Sequence, residues 1–205
     1  MDKIFFEKQE GMLCAQHALN MLLQQPLFTS VDLSVIAHQL DDEENAVLKR
    51  KREKSQNMND SGFFSVQVIV KALSALGLEL ISIDHPTAAE YKDCPTSATA
   101  FICNMQEHWF TLRKFGGRQW FSLNSVKAGP EVLSDTYLSI YISQLSLEGY
   151  SIFVVYGDIP YVEVDHIIEK NPVPLKPAVT APKKFEPMSG KGQKLGRESG
   201  MPTDS

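Results

Sequence analysis

The hydrophobic period of this chain changes once in a way that restricts its fold. Up to about residue 77 the apolar side chains recur at helical spacing, and from Leu78 onward short strand-like runs dominate, interrupted by one further helical stripe. Helices first and hairpin-linked strands afterwards is an α+β order, with the helical part packed against an antiparallel sheet. A repeating strand–helix alternation, which would build a parallel sheet, is absent from the pattern.

The first helix opens at Cys14, with Ala15, Ala18, Leu19, Leu22 and Leu23 forming one buried stripe. A second is expected from Ser30, read as its N-cap, through Leu33, Ile36, Ala37 and Leu40. Residues 41–57 carry Asp41 to Glu44 and Lys49 to Arg52 with few large apolar side chains, which fits either an exposed helical excursion or a mobile loop. The run Lys49–Arg52 is readable as a nuclear address or as a solvated charged face. After the turn-forming Asn59-Asp60-Ser61-Gly62, a third helix is expected on the stripe Val66, Ile69, Val70, Leu73 and Leu76, ended by Gly77. Strands are expected at 78–83, 100–105, 108–114, 119–124 and 151–155, the last as a central one, with 84–98 as a connection. A fourth helix is expected over Ser134–Leu147.

From about residue 171 the composition shifts. Six of the 11 prolines fall between Pro172 and Pro202, among Gly, Ser and Lys, so residues 171–205 read as a disordered tail behind one domain over 1–170. An apolar content of 43% suffices for a core, and a formal charge of −5 argues against nucleic-acid binding through phosphate contacts. The 3 cysteines are widely spaced and odd in number, the pattern of a reduced protein. Neither a secretory signal nor an apolar run of membrane-spanning length is found, so a soluble protein of the nucleus and cytoplasm, without membrane contact, is expected.

Chemistry concentrates around Cys14. A thiol at a helix N-terminus lies among unpaired N–H groups, which favours its thiolate, and Gly11 permits a sharp turn just before it. A cysteine hydrolase also needs a base, a group to orient that base, and donors for an oxyanion. Hairpin arithmetic selects the base. With Phe115-Gly116-Gly117 as a three-residue loop, facing positions sum to 232 and His108 lies directly opposite Asn124. A two-residue Gly-Gly loop would shift the pairing by one and separate them. Gln9 supplies a neutral amide donor, with the backbone N–H of Cys14 as a second. The residues alone leave blander readings open, because a lone helical cysteine is usually a small buried hydrophobe. Cys94 and Cys103 offer no short second ligand pair to Cys14 and His17, so no metal and no cofactor is expected. His17, His38, His85 and His166 receive no role.

Jointly the motifs are more specific. The segments Phe6–His17, Ile36–Glu44, Asn57–Ser65, Glu107–Thr111 and Trp120–Ser125 closely resemble the Josephin domain, and the match continues through Gly129–Glu131, Ser134–Leu138 and Glu148–Val155. The resemblance covers roughly residues 1–170 and implies a papain-like cysteine protease that cleaves ubiquitin from proteins or from polyubiquitin chains. It implies Cys14 as nucleophile, His108 as base and acid, Asn124 as orienter and Gln9 in the oxyanion hole. It also points to Val66 and Gln67 as ubiquitin contacts, and to Phe28 and Leu76 on a second surface. There Leu27 and Leu76 replace aromatic residues of a near relative. The 41–57 excursion is shorter than the helical hairpin that overhangs the cleft in that relative. A ubiquitin-binding adaptor with little catalysis is the alternative.

Overall fold

The computed structural model describes residues 3–9, 11–49, 54–59, 62–105 and 107–175. Three helices come first: α1 (Cys14–Leu23), α2 (Ser30–Leu48) and α3 (Val66–Ser74). Then follow β1 (Glu79–Ser82), α4 (Ala89–Asp93), β2 (Ala100–Met105), β3 (His108–Phe115), β4 (Gln119–Leu123) and β5 (Glu131–Leu133). The domain closes with α5 (Asp135–Leu147), β6 (Ser151–Tyr156) and α6 (Glu163–Lys170). The strands form one six-stranded sheet in the order β1-β6-β2-β3-β4-β5. Every pairing is antiparallel, so the expected α+β class holds.

Alternation along β3 divides the core. Trp109 joins Ala100, Ile102 and Val155 beneath the stripes of α1, α2 and α3. Phe110 and Leu112 point the other way, into a cluster with Phe101, Trp120 and Val154 that α5 closes with Leu138, Ile142 and Leu145. A third cluster, Met21, Phe115, Phe121, Leu123, Val164 and Ile168, is covered by α6. The sheet is thus buried on both faces, which explains why β4 is buried at every position rather than at alternate ones.

Several expectations are corrected. Thr29, not Ser30, caps α2, because its hydroxyl accepts from the Asp32 N–H while the Asp32 carboxylate accepts from the Thr29 N–H. The excursion begins as helix, since α2 runs on to Leu48; residues 50–53 lie outside the described residues, as do Asp60 and Ser61 of the expected turn. Buried Asn57 ties that arm down, donating to Asp41 at 2.9 Å and accepting from Ser65 at 2.8 Å. The 84–98 connection contains α4 and two short 3₁₀ turns at Pro86–Ala88 and Pro95–Ser97. Unforeseen were the edge strand β5, three residues long and too short to show a period, and the eight-residue helix α6, whose apolar Val164, Ile167 and Ile168 do fall at helical spacing. Of the expected tail, residues 176–205 lie outside the described residues, while the Val173 backbone pairs with both ends of the Gln119 carboxamide. No described helix is long and apolar enough to cross a membrane.

The closing helix is held by a buried ion pair. Arg113 of β3 meets Asp165 of α6 at 2.9 Å, both nearly inaccessible, and also donates to the carbonyls of Leu22 and Pro160. Asp165 accepts in addition from the N–H groups of Gly116 and Val162. One side chain therefore caps the C-terminus of α1 and anchors α6.

Candidate active site

The site forms at one end of the sheet, where the first residue of α1 reaches the first residues of β3. The thiol of Cys14 donates to the carbonyl oxygen of Glu107 at 3.2 Å, immediately before His108. Cys14 is 1% exposed, and loss of water raises its thiol above the ordinary range, only partly opposed by the N–H groups of Trp109, Ala15 and Cys14 itself. Burial therefore opposes the thiolate that the position at a helix N-terminus was expected to favour. His108 is shifted down, again by burial, although its bond to Asn124 pulls the other way.

His108 Nε2 lies 2.9 Å from Asn124 Oδ1. That oxygen also accepts the Val126 N–H at 3.3 Å, which marks it as the amide carbonyl. Nε2 must then carry the proton, and Nδ1 keeps its lone pair. Among the described residues Nδ1 has no hydrogen-bond partner. The ring is further held by stacking on Phe110, centroids 6.1 Å apart.

The register that produces this contact differs from the expected one. β3 and β4 pair Thr111 with Leu123 and Phe115 with Gln119, so facing positions sum to 234 and the loop is Gly116-Gly117-Arg118. By that register Asn124 falls opposite Phe110, one diagonal step from His108. A shift of two residues preserves the face, whereas a shift of one would have reversed it.

Gln9 reaches the site from the N-terminal side. Its backbone N–H donates to the Ser125 carbonyl at 2.8 Å, and its Oε1 accepts from the Ser125 hydroxyl at 2.9 Å. Its Nε2 donates to the Gly11 carbonyl at 2.7 Å, across the turn that Gly11 makes at φ +74. Gln9, Cys14, His108 and Asn124 are thus linked through Ser125 and Glu107, two residues that the sequence did not single out. Ser125 adjoins Asn124, but nothing in a one-dimensional pattern signals that its hydroxyl crosses to residue 9. His17, given no role, pairs with Glu7 at 2.6 Å.

The neighbouring wall is the loop before α3. Asn59 donates to the Glu107 carboxylate at 3.1 Å, and the Trp109 indole donates to the Phe64 carbonyl at 3.0 Å. Half-buried Val66 and exposed Gln67 open α3 just beyond it, next to this end of the sheet. Leu76, 43% exposed, lies past the opposite end of α3, and half-buried Phe28 lies between α1 and α2 with its backbone bonded to both ends of the Asn20 carboxamide. The structure does not bring these two to the Cys14 end.

A family model, Josephin, matches residues 9–156. The chain is 49% identical to an ataxin-3 homolog of Caenorhabditis elegans over 215 residues, covering all of this chain and 67% of that protein. It is 51% identical to human ataxin-3 over 180 residues, 82% of this chain and 50% of the relative. A human ataxin-3-like protein is 48% identical over the same share of this chain, 82%, and 50% of its own. The chain spans between about half and two thirds of the length of these relatives.

Proposed function

The chain belongs to the Josephin family, a family of deubiquitinating cysteine proteases, and from that premise we propose that it hydrolyses isopeptide bonds at the C-terminus of ubiquitin with Cys14 as nucleophile. The observation that carries the reading is the 2.9 Å bond from His108 Nε2 to Asn124. It leaves Nδ1 unprotonated one residue from the carbonyl that holds the Cys14 thiol. His108 takes the thiol proton, and the sulfur attacks the terminal carbonyl carbon of ubiquitin. The oxyanion forms under Gln9 and the Cys14 backbone N–H, and a donor of this kind contributes about 3–4 kcal/mol. Collapse expels the lysine amine with the proton from His108, and water activated by the same ring hydrolyses the thioester. Val66 and Gln67 are proposed to contact the bound ubiquitin; Phe28 and Leu76 would serve a separate surface.

Cleavage of a fluorogenic ubiquitin C-terminal amide tests the reading. Cys14→Ala is expected to abolish turnover with the fold retained, and turnover persisting in that variant removes Cys14 from the mechanism.

A second reading, a ubiquitin-binding adaptor with little catalysis, draws on the burial of Cys14 and the bond of its thiol to a backbone carbonyl. A ubiquitin vinyl-sulfone probe separates the two. The protease forms a covalent adduct at Cys14; the adaptor binds ubiquitin and forms none.

A further inference from the structure

Gln9 ends an extended segment, residues 5–9, that has no helix or strand of its own. The segment runs antiparallel to α1: Phe5 exchanges hydrogen bonds with Gln24, and Glu7 pairs with His17. It is thereby led back toward the Cys14 end of the helix, where Ser125 receives it.

Ser125 is 0% exposed, and its hydroxyl donates to Gln9 Oε1 at 2.9 Å. One Nε2 hydrogen of Gln9 is committed to the Gly11 carbonyl at 2.7 Å. Rotating the amide by half a turn would set its oxygen against that carbonyl, acceptor against acceptor. One orientation therefore satisfies both neighbours, and it leaves a single Nε2 hydrogen unused. Without the hydroxyl, the half-buried Gln9 loses the Ser125 donor to its Oε1, and the plane of its carboxamide is held by the Gly11 carbonyl on one side only.

We propose that Ser125 is a positioning residue for the reaction, its buried hydroxyl fixing the Gln9 carboxamide so that the remaining N–H faces the developing oxyanion. The proposal rests on the assignment of Gln9 as oxyanion donor made above. Because Ser125 follows Asn124 directly, one turn orients both the base and the oxyanion donor. That turn is itself closed by Lys127 N–H donating to the Asn124 carbonyl at 2.9 Å.

The test is a double-mutant cycle in the full chain, read as kcat and KM on the fluorogenic ubiquitin amide and as affinity for ubiquitin C-terminal aldehyde, whose adduct carries an oxygen at the oxyanion position. Ser125→Ala is expected to lower kcat about 5- to 10-fold, the worth of one orienting hydrogen bond, with KM unchanged and aldehyde affinity reduced in step. Ser125→Thr, which keeps the hydroxyl, is expected to recover most of the loss. Gln9→Ala lowers kcat by about 10²-fold or more, and adding Ser125→Ala to it is expected to cost nothing further. An unchanged kcat in Ser125→Ala, or an equal loss with and without Gln9, overturns the proposal. Should Ser125→Ala fail to fold, Ser125→Cys preserves shape with a weak donor; its loss must also vanish in the Gln9→Ala background, and a loss that persists there overturns the proposal equally. Absence of Cys14-dependent turnover in the unsubstituted protein defeats the parent reading instead, and this one with it.

Discussion

His108 and Asn124 meet as diagonal neighbours on one face of a hairpin, 2.9 Å apart, with Asn124 lying just past the last residue of β4. A residue beyond the ladder has no strand partner to restrain it. Its carbonyl oxygen is instead steadied by the Val126 N–H, and its own backbone oxygen by Lys127. The orientation of His108 therefore depends on a short turn rather than on sheet pairing.

Removal of that orienting group is expected to impair turnover more than binding. Asn124→Ala frees the ring to adopt the other tautomer while Phe110 still supports its face. The expected loss in kcat is about 10- to 100-fold, a fraction of what a general base contributes in full. Steady-state kinetics on a ubiquitin amide check it, and Cys14 should still react with a ubiquitin probe, only more slowly.

Reactivity of Cys14 toward a small alkylating agent is expected to rise with pH and to pass its midpoint above the ordinary thiol value of about 8.5. Burial raises the Cys14 thiol and lowers His108, so it disfavours the charged form of both groups. A preformed thiolate–imidazolium pair would react from acidic pH upward. Iodoacetamide labelling followed by mass spectrometry, in a Cys94→Ser background that removes the exposed thiol, distinguishes the two profiles.

His108 also makes stability depend on acid. Its proton affinity is lower in the folded state than in the unfolded one, so the unfolded state binds the extra proton and stability rises with pH. The contribution is complete above about pH 6.5 and is lost as pH falls through the lower folded value. Relative to His108→Gln, the unsubstituted protein should therefore lose melting temperature as pH falls from about 6.5.

Asp165→Ala is expected to destabilise the domain by about 3–5 kcal/mol, because it strands the Arg113 guanidinium in a buried position with its charge unmatched. Urea unfolding followed by tryptophan fluorescence measures it. Truncation before α6 should do at least as much harm, although α6 lies outside the matched family segment, residues 9–156.

Gly116→Ala should be costly for a separate reason. Gly116 adopts φ +59, and an added Cβ would lie 2.6 Å from the Asp165 carbonyl oxygen and 2.8 Å from the Glu169 nitrogen. Those neighbours are helix backbone, which cannot swing aside. A loss of about 1–3 kcal/mol is expected from overpacking and strain, again by urea unfolding. Gly117→Ala, where a Cβ would meet nothing within 4 Å, carries only the strain of its own φ of +62.

Local sequence determined the elements it could be read from: the helices α1 and α3 by their apolar stripes, and strands β2, β3 and β6 by short apolar runs set between turn residues. It also determined the face shared by His108 and Asn124, because residues of like parity stay together under a two-residue change of register. Tertiary structure decided what local pattern has no means to encode. Whether Cys14 is charged depends on how much water its neighbours exclude, and that is set by elements from the other half of the chain. The same holds for the Ser125 hydroxyl on Gln9, 116 residues away in sequence, and for the buried Arg113–Asp165 pair that places α6. Contacts of that kind arise only when distant segments pack together, since no local periodicity specifies which polar group will face which.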